Sequence, residues 1–214
     1  MKRLLLLFLL FILCCKFSFA QIPFLGITSR KNNYYAYHHF EFTPNKNNTI
    51  FYSINQFGIS DKFDGGVEIL SSASSLSQGF VLKHAFVSKD YLNAALQTTS
   101  FFNIDKGYDY AWQNVGLYLN GCITHHLSYV SNTFMDVTNK GDISSYQFWY
   151  LSYAYKSISP YVGLTHNWTD QFDANLALGL CYNVGKLNFY AWGGNITSGK
   201  PKFTVGLDYR FAVK

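Results

Sequence analysis

Charge is scarce in this chain. Only 14% of its 214 residues are Asp, Glu, Lys or Arg, against roughly 25% in an ordinary soluble domain. With half the residues apolar, that excludes a disordered chain and a charged coiled coil. Proline is scarcer still, with 4 in the whole sequence, so few segments are barred from a sheet. Of 4 cysteines, Cys14 and Cys15 lie in an N-terminal apolar run. The remaining pair, Cys122 and Cys181, has the means for one disulfide but makes neither a disulfide framework nor a metal site. There is no CxxC, HExxH, GxGxxG, P-loop or GxSxG, so the familiar catalytic and nucleotide-binding vocabulary is missing. His38, His39, His84, His125 and His166 show no ligand spacing either. The uncharged stretch from Tyr110 to Met135 is broken by Gln113, Asn114, Asn120, Gly121, His125 and His126, which argues against a membrane-spanning helix.

Aromatic residues are abundant, with 17 Tyr and 20 Phe, and rings of this kind suit a pleated surface. The N-terminus reads separately. Lys2 and Arg3, an apolar run from Leu4 to Cys15, and Ser18-Phe19-Ala20 make residues 1–20 an expected secretory signal peptide, leaving 21–214 as one mature domain. Cleavage removes Lys2, Arg3 and Lys16 and no acid, so the mature chain has 14 basic against 12 acidic side chains, a net of +2. The apparent basicity is therefore largely targeting signal, and a nucleic-acid partner has no electrostatic motive.

Beyond residue 33 the chain alternates with a period of two. Phe203, Val205, Leu207, Tyr209 and Phe211 face one way while Thr204, Gly206, Asp208 and Arg210 face the other. Leu176, Leu178, Leu180, Tyr182 and Val184 likewise oppose Asn175, Ala177, Gly179, Cys181 and Asn183. Strands are predicted near 33–42, 49–57, 65–71, 79–87, 91–102, 108–120, 124–135, 144–155, 158–168, 174–184, 187–194 and 202–213, about twelve in all with ten as the lower count. The first, seventh and eighth carry rings or imidazoles on both faces, which leaves their orientation open. Connections alternate in length, with short ones at 88–90, Asn120-Gly121, Lys156-Ser157 and Gly185-Lys186. The stretch from Gly58 to Asp64 is a long connection where a short one is expected. An up-and-down meander would thus gather tight turns at one end and loops at the other.

A soluble β-barrel points its apolar face inward and carries charge outside, whereas a membrane barrel reverses this. Here the non-apolar face is rich in Asn, Gly, Thr, Ser and Tyr and poor in Lys and Glu. Tyr34, Phe42, Phe57, Tyr91, Tyr108, Trp149, Tyr155, Trp168 and Tyr182 fall near strand ends, as an interfacial girdle requires. On these features, and on the terminal strand from Phe203 to Phe211, the chain resembles the bacterial outer-membrane β-barrels, especially small porin-like proteins. It departs from them by continuing through Ala212-Val213-Lys214. The resemblance implies an all-β, transmembrane, up-and-down antiparallel barrel in the outer membrane, in contact with its lipid and compatible with homo-oligomers. It implies a narrow, passive pore for ions or small polar solutes, with no enzyme activity, cofactor or metal. Pore-lining residues would include Glu41, Glu68, Lys83, Asn114, Tyr118, Asp208 and Arg210, with Asp208 and Arg210 expected to pair.

A rival reading starts from His126-Leu127-Ser128, which resembles the His-x-Ser element of outer-membrane phospholipases and lipid A deacylases. That resemblance implies Ser128 as nucleophile and His126 as base. Tyr129 stands where those enzymes usually carry Asn, and a lipid hydrolase needs the pair facing the membrane rim. Two further rivals are a plugged structural or adhesive barrel, and a soluble secreted barrel with its Leu, Val and Phe face turned inward around an apolar ligand.

Overall fold

The computed structural model describes residues 25–44, 48–168 and 172–213, so the expected signal peptide lies outside the described residues. Twelve strands follow in chain order: β1 Asn33–Thr43, β2 Asn48–Gly58, β3 Phe63–Ser71, β4 Leu76–Lys89, β5 Leu92–Asn103, β6 Asp109–Cys122, β7 Leu127–Thr138, β8 Ile143–Tyr153, β9 Ile158–Trp168, β10 Phe172–Val184, β11 Leu187–Gly194 and β12 Lys202–Ala212. Each pairs antiparallel with its sequence neighbours, and β12 pairs with β1 from Asn33↔Ala212 to Phe42↔Phe203, which closes the barrel. The closure leaves no open edge, as backbone groups in lipid demand.

The alternation sorts the side chains as a lipid-facing barrel requires. Phe40, Phe80, Leu82, Leu96, Leu151, Val162, Leu164, Leu178, Leu180, Phe189 and Val205 all stand exposed on the outer face. Gln56, Glu68, Lys83, Gln97, Asn132, Asn175, Asn188 and Asp208 are buried inside. A soluble barrel with an apolar interior is thereby excluded, because the Leu, Val and Phe face points out.

The three strands of open orientation resolve with Tyr37, Phe134, Phe148 and Tyr150 inward. These rings join Tyr118, Tyr161 and Tyr190 in a packed cluster across the middle of the barrel. Small residues on neighbouring strands make room for them. A Cβ on Gly179 would lie 2.2 Å from the Tyr161 ring, so the inner face of β10 is small there because β9 supplies the bulk.

The contrast between the two ends is weaker than expected, since connections run to 2–4 residues at one end and 3–7 at the other, and two further corrections follow. Asn120-Gly121 is not a turn: β6 runs on to Cys122, the reversal is Ile123–His126, closed by Ile123 N–H to Leu127 O at 2.8 Å, and β7 starts three residues later than predicted. The connection after Gly58, expected to be long, is only residues 59–62, the same length as the reversal after β6, and it holds a segment of chain that precedes β1, described next.

Candidate functional site

Residues 25–32 enter the barrel from the end that carries the tight turns and lie against its inner wall. Thr28 and Ser29 are buried. Lys83 Nζ donates to the Leu25 carbonyl at 2.6 Å, and the Gly26 N–H donates to Asn120 Oδ1 at 2.7 Å. Ser29 donates through its N–H at 2.7 Å and its hydroxyl at 3.2 Å to Asp64 Oδ2. Thr28 Oγ1 donates to the Asp61 carbonyl at 2.7 Å, so the β2–β3 connection is the dock for this strap. Two glycines make the docking sterically feasible. A Cβ on Gly26 would sit 2.7 Å from the carbonyl oxygens of Asn93 and Tyr118, and one on Gly58 would sit 1.8 Å from that of Arg30.

Above the strap, the wall is stitched by two polar clusters. Glu68 accepts hydrogen bonds from Tyr52 Oη, from Gln97 Nε2 at 2.8 Å and from Thr99 Oγ1 at 3.3 Å. Gln56 Nε2 extends the cluster by donating to Gln97 Oε1 at 2.9 Å. Asp208 accepts from Tyr190 Oη, from Asn188 Nδ2 and from Tyr35 Oη at 3.3 Å. The expected Asp208–Arg210 pair is not formed. Arg210 instead places its guanidinium 5.0 Å from the centroid of the Tyr35 ring, and Lys83 sits 4.7 Å from that of Tyr118. Residues two apart on a strand share a face, but their direction is set by what surrounds them: Arg210 meets Tyr35 on the neighbouring β1, and Lys83 on β4 reaches Tyr118 two strands away on β6.

Toward the loop end the lumen widens into a vestibule of about 420 Å³. Its walls include Glu41, Asn114, Tyr118, Trp112, Asp136, Tyr146 and Trp192. Lys202 Nζ and Glu41 Oε1 form a salt bridge of 2.9 Å on one side. On the other, Asn114 Nδ2 donates to Asp136 Oδ1 at 2.7 Å. Below the vestibule, a gap of about 20 Å³ lies between the strap and Gln56, Asp64, Lys83, Gln97 and Arg210.

This architecture has solved counterparts. A KdgM porin matches 83% of this chain and 99% of its own at 13% identity, with a TM-score of 0.65. A KdgM porin in complex with disordered oligogalacturonate matches over the same shares at 14% identity, again with a TM-score of 0.65. A NanC porin matches 81% of this chain and 98% of its own at 12% identity, with a TM-score of 0.55. The fold is that of the small outer-membrane porins. No sequence-family model matches the chain, and no curated protein does.

All seven side chains expected in the lumen lie on the inner face, but at different depths. Glu41, Asn114 and Tyr118 reach the vestibule, Lys83 and Arg210 border the strap, and Glu68 and Asp208 are buried in the clusters. The strap itself, the ring cluster and Asp136 escaped the sequence reading. The interruption of the turn pattern at Gly58–Asp64 was the available signal for the strap.

The His126–Ser128 pair takes a different place. Ser128 opposes Ser152 on the inner face, and both residues border a cavity of about 150 Å³ at the turn end, beside Leu25. The His126 ring lies 4.8 Å from that of His125 and 5.8 Å from that of Tyr153. A hydrolase acting on lipid needs the nucleophile at the outer rim, and the register turns Ser128 away from it. Cys122 stands exposed at the end of β6, and Cys181 is buried on β10.

Proposed function

We propose that this protein is a non-enzymatic outer-membrane channel, a narrow passive pore for ions or small polar solutes. The observation that carries the reading is the inside-out barrel with a vestibule at one end, lined by aromatic rings and by polar side chains such as Glu41, Asn114, Asp136 and Lys202. The fold shared with the KdgM and NanC porins supports it. Short turns face the periplasm in barrels of this kind and longer loops face outward, so the vestibule is the external mouth.

A solute entering the vestibule exchanges water for Glu41, Asn114, Asp136 and the aromatic rims. Passage further requires the ring cluster and the strap to yield, and the described form is the closed one. Glu68, Lys83, Asp208 and Arg210 line the deeper path. The strap is held by only a few hydrogen bonds, a kind of contact that each contributes roughly 0.5–1.5 kcal/mol net. It is therefore the part of the closure most readily released.

The test is single-channel recording in planar bilayers with chain 21–214 and with the same chain lacking residues 21–29. The expected result is brief, small openings from the first and larger, longer ones from the second. Silence from a strapless barrel shown to be folded and inserted would overturn the pore and leave a plugged structural barrel.

A further inference from the structure

Two rings of the vestibule are built as platforms. Trp112 on β6 stacks on the buried Phe101, centroids 4.3 Å apart and planes 13° from parallel. Tyr146 on β8 stacks on the buried Phe134 at 4.7 Å and 17°. Each platform ring is thus braced from behind, while its residue stays partly open, Tyr146 by 37%. Between them, one strand pair carries Asn114 opposite Asp136, joined through their side chains. Across the lumen the charges of Lys202 and Glu41 neutralise each other. Among the described residues bordering the vestibule, Asp136 is left as the carboxylate without a lysine or arginine partner.

We propose that the vestibule is a binding site for a neutral saccharide of one or two pyranose rings. This rests on the pore reading only for its purpose, as the external mouth at which a solute is captured. A pyranose has a flat face of C–H groups and a rim of hydroxyls. The braced rings of Trp112 and Tyr146 offer surfaces to the face, and Asn114, Asp136 and Asn195 offer donors and acceptors to the rim. The cavity volume lies within the roughly 300–1,000 Å³ typical of small-molecule sites. The charge arrangement decides the class: an acidic sugar would bring its carboxylate beside Asp136, while among the described residues bordering the cavity the one lysine, Lys202, is already paired with Glu41, and like charges repel.

The test is tryptophan fluorescence of the folded chain 21–214 in detergent micelles, titrated with cellobiose and, separately, with digalacturonic acid. Saturable binding of cellobiose at roughly millimolar concentration is expected, with the acidic disaccharide weaker by about tenfold or more. Trp112→Ala and Tyr146→Ala should each weaken cellobiose binding by about tenfold in barrels of unchanged circular dichroism. Asp136→Asn should narrow the gap between the two sugars. Equal binding of both, unchanged binding by the Trp112→Ala, Tyr146→Ala double variant, or no binding up to the solubility limit would overturn the inference. Because the readout needs no bilayer, it fails or succeeds separately from conductance: sugar binding by a silent barrel would sustain the site and sink the pore.

Discussion

At the scale of single residues, the interior is held by acceptors that each serve several donors. Glu68 is 1% exposed and serves Tyr52, Gln97 and Thr99 at once. Truncating it strands those donors away from water, and a buried unsatisfied polar group costs about 1–3 kcal/mol. Glu68→Ala should therefore lower the urea midpoint of the detergent-folded barrel by that amount of stability with little change in slope. Glu68→Gln retains an acceptor oxygen and should lose less. Membership of the inner face could be read for Glu68 from alternation alone. Its partners could not, because Gln97 and Thr99 lie about thirty positions away on a strand that is not its neighbour.

At the scale of elements, the strap is the feature that departs from a plain meander. It packs where two carbonyl oxygens leave no space for a side chain at Gly26. Gly26→Val should dislodge it without touching a strand, since residue 26 precedes β1. The expected readout is faster tryptic cleavage after Arg30 or Lys31, with the barrel itself still protected, and a rise in conductance in the same preparation. Retained protection at Arg30 and Lys31 would mean that the strap is not the releasable part. The twelve strands themselves were legible because each is a local pattern of period two. The turn after β6 was misplaced because Asn-Gly is a strong hairpin signal, and here the pairing with β7 extends past it as far as Cys122↔Ser128.

For the whole molecule, the outer surface sets the environment in which it folds. Leu178 lies mid-strand on β10 and is 46% exposed, whereas Leu187 lies at the first position of β11 beside a tight turn. Leu178→Arg should cost about 2–4 kcal/mol in lipid and Leu187→Arg about 0–1 kcal/mol. Equal costs, measured by unfolding from vesicles, would argue against a belt centred on the mid-strand residues. The inner wall has its own balance. Among the described residues, Glu41, Asp64, Glu68, Asp136 and Asp208 face Lys83, Lys202 and Arg210, so acids outnumber bases there although residues 21–214 as a whole carry slightly more basic than acidic side chains. An open form should therefore prefer cations modestly, read as a reversal potential across a potassium chloride gradient. Reversal at the anion potential would contradict that balance.

The sequence by itself determined the class of fold, the strand count near twelve and the inside-out polarity. All of these follow from side-chain parity and chain-local turn chemistry, which need no knowledge of distant residues. Only the tertiary structure decided which rings fill the lumen, where the strap docks, how Trp112 and Tyr146 are braced, and that Arg210 chooses Tyr35 over Asp208. The bracing depends on the register of the β5–β6 and β7–β8 hairpins, and the others depend on closure. It brings Tyr35 to Asp208 across 173 positions of chain and Gly26 to Asn120 across 94, and no periodic pattern in either segment encodes its distant partner.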